Sequence, residues 1–232
     1  MELVAILVAV LVVLLTLGLT RCVYGRQKRG NRILFVGLND SGKTKMFLRL
    51  VSGKEAKTQT SIKENKGSLA IKLGNKEQIA ELVDIPGHER VRSHVLDQYK
   101  DGVRGIVLVI DSANLEGRDV AELVYDILAD AFFGGNRIPL LLACNKQDMP
   151  TAKSQAVIKS LLEKEIDALR VTRSAALEGI DNTKSPDKNA FIGKQGKPFE
   201  FSHISCPINF AECACTSDTD MKPVQTWIEN LF

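Results

Sequence analysis

The sequence predicts an α/β fold, a mostly parallel six-stranded sheet flanked by helices and preceded by one N-terminal transmembrane helix. Three observations carry this. From Arg32 to the C-terminus, short apolar runs alternate with stretches of helical periodicity, the pattern of a parallel sheet covered on both faces. A glycine-rich run, Gly37-Leu38-Asn39-Asp40-Ser41-Gly42-Lys43-Thr44, joins the first apolar run to the first helical one. Ahead of both, Leu3–Leu19 contains no charged residue.

At 1.5 Å per residue, Leu3–Leu19 makes about 25 Å of helix, at the short end for a bilayer core. Thr20, Cys22, Val23 and Tyr24 extend it if Arg21 snorkels, so residues 1–24 are assigned as the membrane anchor. Residues 25–31, with Arg26, Lys28 and Arg29, form a basic juxtamembrane linker. The rival reading is a cleaved signal peptide. Against it, Met1-Glu2 supplies no basic n-region, and no small-x-small site precedes the basic run. The positive-inside rule then places residues 32–232 in the cytosol as one domain. Cys22, at the membrane edge, is open to acylation or is a plain thiol.

Within that domain the strand-like runs are Arg32–Val36, Ser68–Lys72, Gln78–Val83, Gly105–Ile110, Pro139–Cys144 and Pro207–Ala211. The helical runs are Lys43–Val51, Ser93–Tyr99, Arg118–Phe132, Ala152–Leu169 and Met221–Leu231. A hairpin through Gly74-Asn75 makes one antiparallel edge pair. Residues 177–203 form an inserted segment, polar and expected to be flexible over Leu177–Lys197. Its apolar end, Pro198-Phe199-Glu200-Phe201, is expected to add a strand or a cap. Trp227 in the last helix reads as a core anchor. Net charge is only +3, with much of the excess beside the anchor. Anionic lipid is therefore the natural partner and direct nucleic-acid binding is not expected. The five cysteines show neither metal-ligand spacing nor a disulfide framework, which points to free thiols.

Gly37–Thr44 matches the pattern G-x-x-x-x-G-K-[ST] between a strand and a helix. In that setting Gly37, Asn39, Asp40, Ser41 and Gly42 form a loop whose N–H groups wrap a β-phosphate. Lys43 reaches the β- and γ-phosphates, and the Thr44 hydroxyl ligates Mg²⁺. Downstream, Asn145-Lys146-Gln147-Asp148 follows the buried-strand run Leu140–Cys144 and resembles the N-K-x-D signature of Ras-like GTPases. Asp148 can accept from both N1–H and the N2 amino group of guanine, a donor pair adenine lacks. Lys146 can lie along the base plane, and Asn145 can tie this turn to the phosphate loop. Asp84-Ile85-Pro86-Gly87 resembles the D-x-x-G of the same superfamily. That resemblance implies that Asp84 holds Mg²⁺ through a water and that the Gly87 N–H senses a γ-phosphate. Thr60, in the polar segment Lys54–Glu64, is the candidate for a second Mg²⁺-ligating hydroxyl.

The anchor, the basic flank, Asp84-Ile85-Pro86-Gly87-His88-Glu89 and the late insertion together resemble the β subunits of the signal recognition particle receptor. The resemblance runs from the anchor to the last helix. It implies a P-loop GTPase domain that binds GTP or GDP with Mg²⁺ on the endoplasmic reticulum membrane. It further implies recruitment of the receptor α subunit, in a receptor that docks ribosomes at the translocation channel. His88 stands where Ras proteins carry the glutamine that orients the attacking water, so slow hydrolysis is expected, with His88 as the candidate catalytic residue. The guanine-supporting loop, usually S-A-K, here reads Glu212-Cys213-Ala214-Cys215-Thr216. The N–H of Ala214 or Cys215 remains available to guanine O6, but the lysine is missing. An Arf-like trafficking GTPase is the alternative. Glu2, where Arf proteins carry a myristoylated glycine, and the spanning segment argue against it.

Overall fold

The computed structural model of the chain describes residues 30–53, 63–74, 76–178, 191–216 and 218–232. The expected membrane span, most of its basic flank, Cys22, Thr60 and residues 179–190 lie outside these. Among the described residues no helix is long and apolar enough to cross a membrane.

Six strands form one sheet: β1 (Arg32–Gly37), β2 (Asn65–Leu73), β3 (Lys76–Asp84), β4 (Val103–Asp111), β5 (Leu140–Asn145) and β6 (Ile208–Glu212). The spatial order is β2-β3-β1-β4-β5-β6, and only the β2–β3 hairpin is antiparallel. Gly74 turns that hairpin with a left-handed φ of 59°. The central strands are apolar on both sides because both faces of the sheet are covered. The strand period of two sorts their side chains. Ile33, Phe35, Val107, Val109, Leu141 and Ala143 join one core cluster; Leu34, Val36, Ile106, Leu108, Leu140 and Leu142 join the other.

The first cluster is covered by α1 (Lys43–Ser52) through Met46 and Phe47, and by α6 (Asp218–Glu229) through Met221, Val224 and Ile228. The second is covered by α2 (Glu89–Gln98), α3 (Gly117–Ala129), the short α4 (Ala131–Gly135) and α5 (Gln155–Glu178). On α5, Ile158, Leu162, Ile166 and Leu169 recur at helical spacing and are buried. Each fully buried aliphatic or Phe side chain contributes about 1.5–3 kcal/mol. The sheet is therefore a stiff frame for whatever its strand ends carry. Trp227 is half-buried against the first cluster, and its indole N–H donates to Asn209 Oδ1 at 3.1 Å.

The structure differs from expectation around the insertion. Helix α5 does not stop at Leu169 but runs to Glu178, so residues 177 and 178 are helical rather than part of a flexible segment. Residues 191–203 are packed as a cap with a single 3₁₀ turn, Phe201–His203, and add no strand. The buried Arg170 accounts for the packing of the cap. Its guanidinium donates to Asp167 and to the carbonyls of Lys194 and Lys197, and lies 4.3 Å over the Phe191 ring. Asp167 and Glu163 in turn accept from the N–H groups of Phe199 and Phe201. Phe199, Phe201 and Phe210 then meet edge to face at 5.2–5.3 Å. A polar sequence is ordered here by one helix's charged face, which hydropathy alone does not reveal.

Candidate nucleotide-binding site

The parallel strands deliver Gly37, Asp84, Asp111 and Asn145 to one edge of the sheet, with the Cys213–Thr216 loop following β6 at the same edge. Registration holds them together: Phe35 lies beside Asp84, Gly37 beside Val109, and Asp111 beside Asn145. Ligands of open α/β sheets bind at this carboxyl edge.

The phosphate loop is shaped by its backbone. Gly42 precedes α1 with φ 90°, and a Cβ there would collide with the Asn145 amide. Gly37 (φ 154°) has no room either, because Val109 O occupies the place. Asp40 takes a left-handed φ of 55°. Helix α1 has no acidic residue in its first turn and no side-chain cap, so its N–H groups and the positive end of its dipole face the loop. Lys43 is buried and donates to Leu38 O at 2.6 Å, while Ser41 Oγ donates to the same carbonyl at 2.9 Å. Burial lowers the Lys43 pKa to about 8, opposed by nearby Asp84. Such a lysine gains a better-paired state when an anion enters.

Asp84 is fully buried. Its Oδ2 accepts from Thr44 Oγ1 at 2.8 Å and from Asn65 Nδ2 at 3.0 Å, whereas Oδ1 has no partner among the described residues. Burial raises its pKa, partly offset by those two hydrogen bonds and by Lys43. A buried carboxylate oxygen without a donor, beside a hydroxyl and at the foot of a phosphate cradle, fits a divalent cation. Among the described residues no group of three or more His, Cys, Asp or Glu side chains could hold a metal. Mg²⁺ takes one or two protein ligands and completes its shell with phosphate and water, and Thr44 and Asp84 are the side chains that would face it. Gly87 packs against the loop so closely that a Cβ would meet Asn39. His88, exposed, caps the N-terminus of α2, and its carbonyl accepts from the N–H groups of Val91 and Arg92.

The base side is built by side chains. Asn145 is buried, and its Nδ2 donates to Ser41 O at 2.8 Å, joining the two halves of the site. Lys146 adopts a left-handed φ of 64°, and its ammonium lies 2.6 Å from Asp111 Oδ2. Asp111, which sequence reading does not single out, also accepts from the N–H groups of Ala113 and Asn114. Its signal was present, an acid ending an apolar strand and opening a turn. Asp148 is exposed beyond this turn. Ala214 and Cys215 are buried in the facing loop. Arg49 and Asn65 were also missed, because each acts over a long sequence separation, Arg49 on Cys215 O and Asn65 on Asp84. Beside the phosphate loop, a cavity of about 500 Å³ runs between α2 and α3. It shares Asn39–Ser41, Gly87, His88 and Asp111 with the site but not Asn145, Lys146, Asp148 or the Cys213–Thr216 loop.

A six-stranded sheet with this strand order, a phosphate loop on β1, a buried acid on β3 and an N-K-x-D turn on β5 defines a small GTP-binding protein. The family profile of signal recognition particle receptor β subunits matches residues 28–208, and the chain belongs to that family. The mouse signal recognition particle receptor subunit β is 40% identical over 237 residues, covering 99% of this chain and 87% of the mouse protein. A solved structure of the mammalian SRP receptor superposes with a TM-score of 0.76 at 40% identity, covering 87% of this chain and all of that one. The SRb-GTP/SRX complex from Chaetomium thermophilum shares the fold (TM-score 0.69, 20% identity, 86% of this chain and 99% of that one). So does SRb-GDP-Mg from the same organism (TM-score 0.65, 19% identity, 89% and 100%).

Proposed function

We propose that this chain is the membrane-anchored, GTP-binding subunit of a signal recognition particle receptor. In this reading it recruits the receptor α subunit to the endoplasmic reticulum membrane for co-translational targeting. The observation that carries the proposal is the Asn145–Ser41 bond, which fastens an N-K-x-D turn to a phosphate cradle of the right shape. The N–H groups of residues 39–44 and the Lys43 ammonium would hold the β- and γ-phosphates. Thr44 and Asp84, with Thr60 as the further candidate, would hold Mg²⁺. Asn145, Lys146, Asp148 and the Ala214–Cys215 backbone would hold the guanine. What the nucleotide supplies when bound is a γ-phosphate, to which the segments around Thr60 and Gly87 would respond by ordering.

His88, the residue before α2 and next to Gly87, would take the place of the water-orienting glutamine of Ras proteins. An imidazole there in place of the glutamine amide gives slow hydrolysis, so the nucleotide serves to control a partner more than to time a cycle. The uncharged run Leu3–Leu19 and the basic residues after Tyr24 would hold the domain on the cytosolic face, with anionic lipid against the flank. The match to the mammalian SRP receptor at 40% identity supports a receptor assembly for this chain too.

The test uses the full-length chain in detergent micelles, loaded with GTP or GDP and presented to the N-terminal domain of the receptor α subunit. At least tenfold preference for the GTP form is expected. Equal capture by both forms, or none, would sink the partner assignment. Extraction of microsomes at alkaline pH tests the anchor: the full chain should stay with the lipid, and a chain lacking residues 1–19 should leave it.

A further inference from the structure

The loop after β6 lacks the lysine that usually supports a guanine loop, yet it is tied down from three directions. At its start, Cys213 N–H donates to Cys144 O at 3.0 Å and Gln147 N–H donates to Cys213 O at 3.1 Å, carrying the β5–β6 ladder into the N-K-x-D turn. From below, Arg49 of α1 donates to Cys215 O at 2.7 Å. The third tie is the Cys215 side chain itself. Its thiol donates to Asn145 Oδ1 at 3.4 Å and lies 3.8 Å from Met221 Sδ. The Nδ2 of the same Asn145 amide donates to Ser41 O. A continuous chain therefore runs from thiol to amide to phosphate-loop carbonyl, and Cys215, Asn145 and Ser41 are all at least 95% buried.

A buried primary amide is oriented by what its oxygen accepts as much as by what its nitrogen donates. Leaving Oδ1 without a donor costs the full desolvation of that atom and frees the amide to rotate. We propose that Cys215 is a positioning residue for nucleotide retention: its thiol locks the Asn145 amide so that the base loop and the phosphate loop move as one body. The inference rests on the GTP-binding reading above. It goes beyond that reading by assigning a side-chain role at a position otherwise considered only for its backbone N–H.

Two near-isosteric substitutions separate this role from simple packing. Cys215→Val keeps the apolar volume and removes the donor; Cys215→Ser keeps a donor and removes the apolar sulfur. Dissociation of a fluorescent GDP is measured from the full-length chain in micelles with Mg²⁺, alongside thermal unfolding in excess GDP. Cys215→Val is expected to release nucleotide about five- to tenfold faster than wild type, and Cys215→Ser within about twofold of it. The side-chain ¹⁵N resonance of Asn145 should shift in Cys215→Val and hold in Cys215→Ser. If Cys215→Val does not fold, Cys215→Ala, which cannot overpack, takes its place. Wild-type release from Cys215→Val, or equally fast release from Cys215→Ser, would overturn the inference while leaving GTP binding intact. A wild-type chain that retains no guanine nucleotide would overturn both readings.

Discussion

The two halves of the site are built on different principles. The phosphate half, Gly37–Thr44 with Asp84, is made of main chain. Its glycines sit where a Cβ would strike Val109 O or Asn145, and what it offers a phosphate is backbone N–H groups and one buried lysine. The base half, Asn145–Asp148 with Cys213–Thr216, is made of side-chain ties: Asn145 to Ser41, Lys146 to Asp111, Arg49 to Cys215 O and Cys215 to Asn145. Backbone recognition admits few sequences, because steric limits on φ and on Cβ leave little choice. Side-chain recognition admits substitutes wherever another donor reaches the same acceptor. That is why the phosphate loop follows its pattern while the loop after β6 has lost its lysine and remains tied in place.

If the base half works as drawn, its largest single determinant is Asp148, whose carboxylate matches a pair of guanine donors. Asp148→Asn should swing the preference between GTP and XTP by about 10⁴-fold, since a site built for one hydrogen-bonding pattern rejects the other strongly. Competition binding with the two nucleotides reads this directly. Unchanged GTP preference would break the assignment of that half. On the phosphate side, Lys43→Ala removes a charged hydrogen bond and should weaken GTP about 10–100-fold without altering base preference. A change in base preference in that variant would show that the two halves are not separable in this way.

This contrast also explains what could be read from the chain. The six strands, their alternation with helices and the N-K-x-D and D-x-x-G placements were legible because local periodicity and turn chemistry specify them. The ordering of residues 191–203 was not, since it depends on Arg170, Asp167 and Glu163 projecting from a helix more than 20 residues away in sequence. Asn65 and Arg49 were illegible for a similar reason. Each is an ordinary residue of a strand or helix until the fold brings it to Asp84 or Cys215. Thr60 and the anchor remain readings of the sequence, the one from motif spacing and the other from hydropathy.

A smaller effect sharpens the comparison at the seam. Arg49 belongs to α1, on the phosphate side, but its hydrogen bond goes to the base loop. Arg49→Ala should raise the GDP dissociation rate about three- to tenfold, the size of one partly exposed hydrogen bond to a charged donor. Arg49→Lys should recover only part of it, because an ammonium lacks the guanidinium's planar fork. Stopped-flow displacement of a fluorescent nucleotide measures both. If Arg49→Ala left dissociation unchanged, the base loop would be held by its ladder and by Cys215 alone.

A separate effect is on stability at alkaline pH, and there the two halves carry opposite signs. Burial raises the thiol pKa values beneath the base loop from 9.0, to about 12 for Cys144 and about 11 for Cys215, and pushes Cys213 up as well. Their contribution to stability is complete below pH 9. It is lost as pH rises toward the folded values, because the unfolded chain releases those protons first. Lys43 behaves the other way in the nucleotide-free protein. With its pKa lowered from 10.5 to about 8, the folded state sheds its proton first, and stability rises between those values. Three thiols against one lysine should therefore give a shallow rise from pH 8 to 9 and a net fall above it. With GDP and Mg²⁺ bound, phosphate holds Lys43 charged and the rise should vanish, leaving only the fall. Urea unfolding at pH 8, 9 and 10, with and without GDP, separates the two. A rise that persists in the GDP-loaded protein would mean that Lys43 is not the group facing the phosphates.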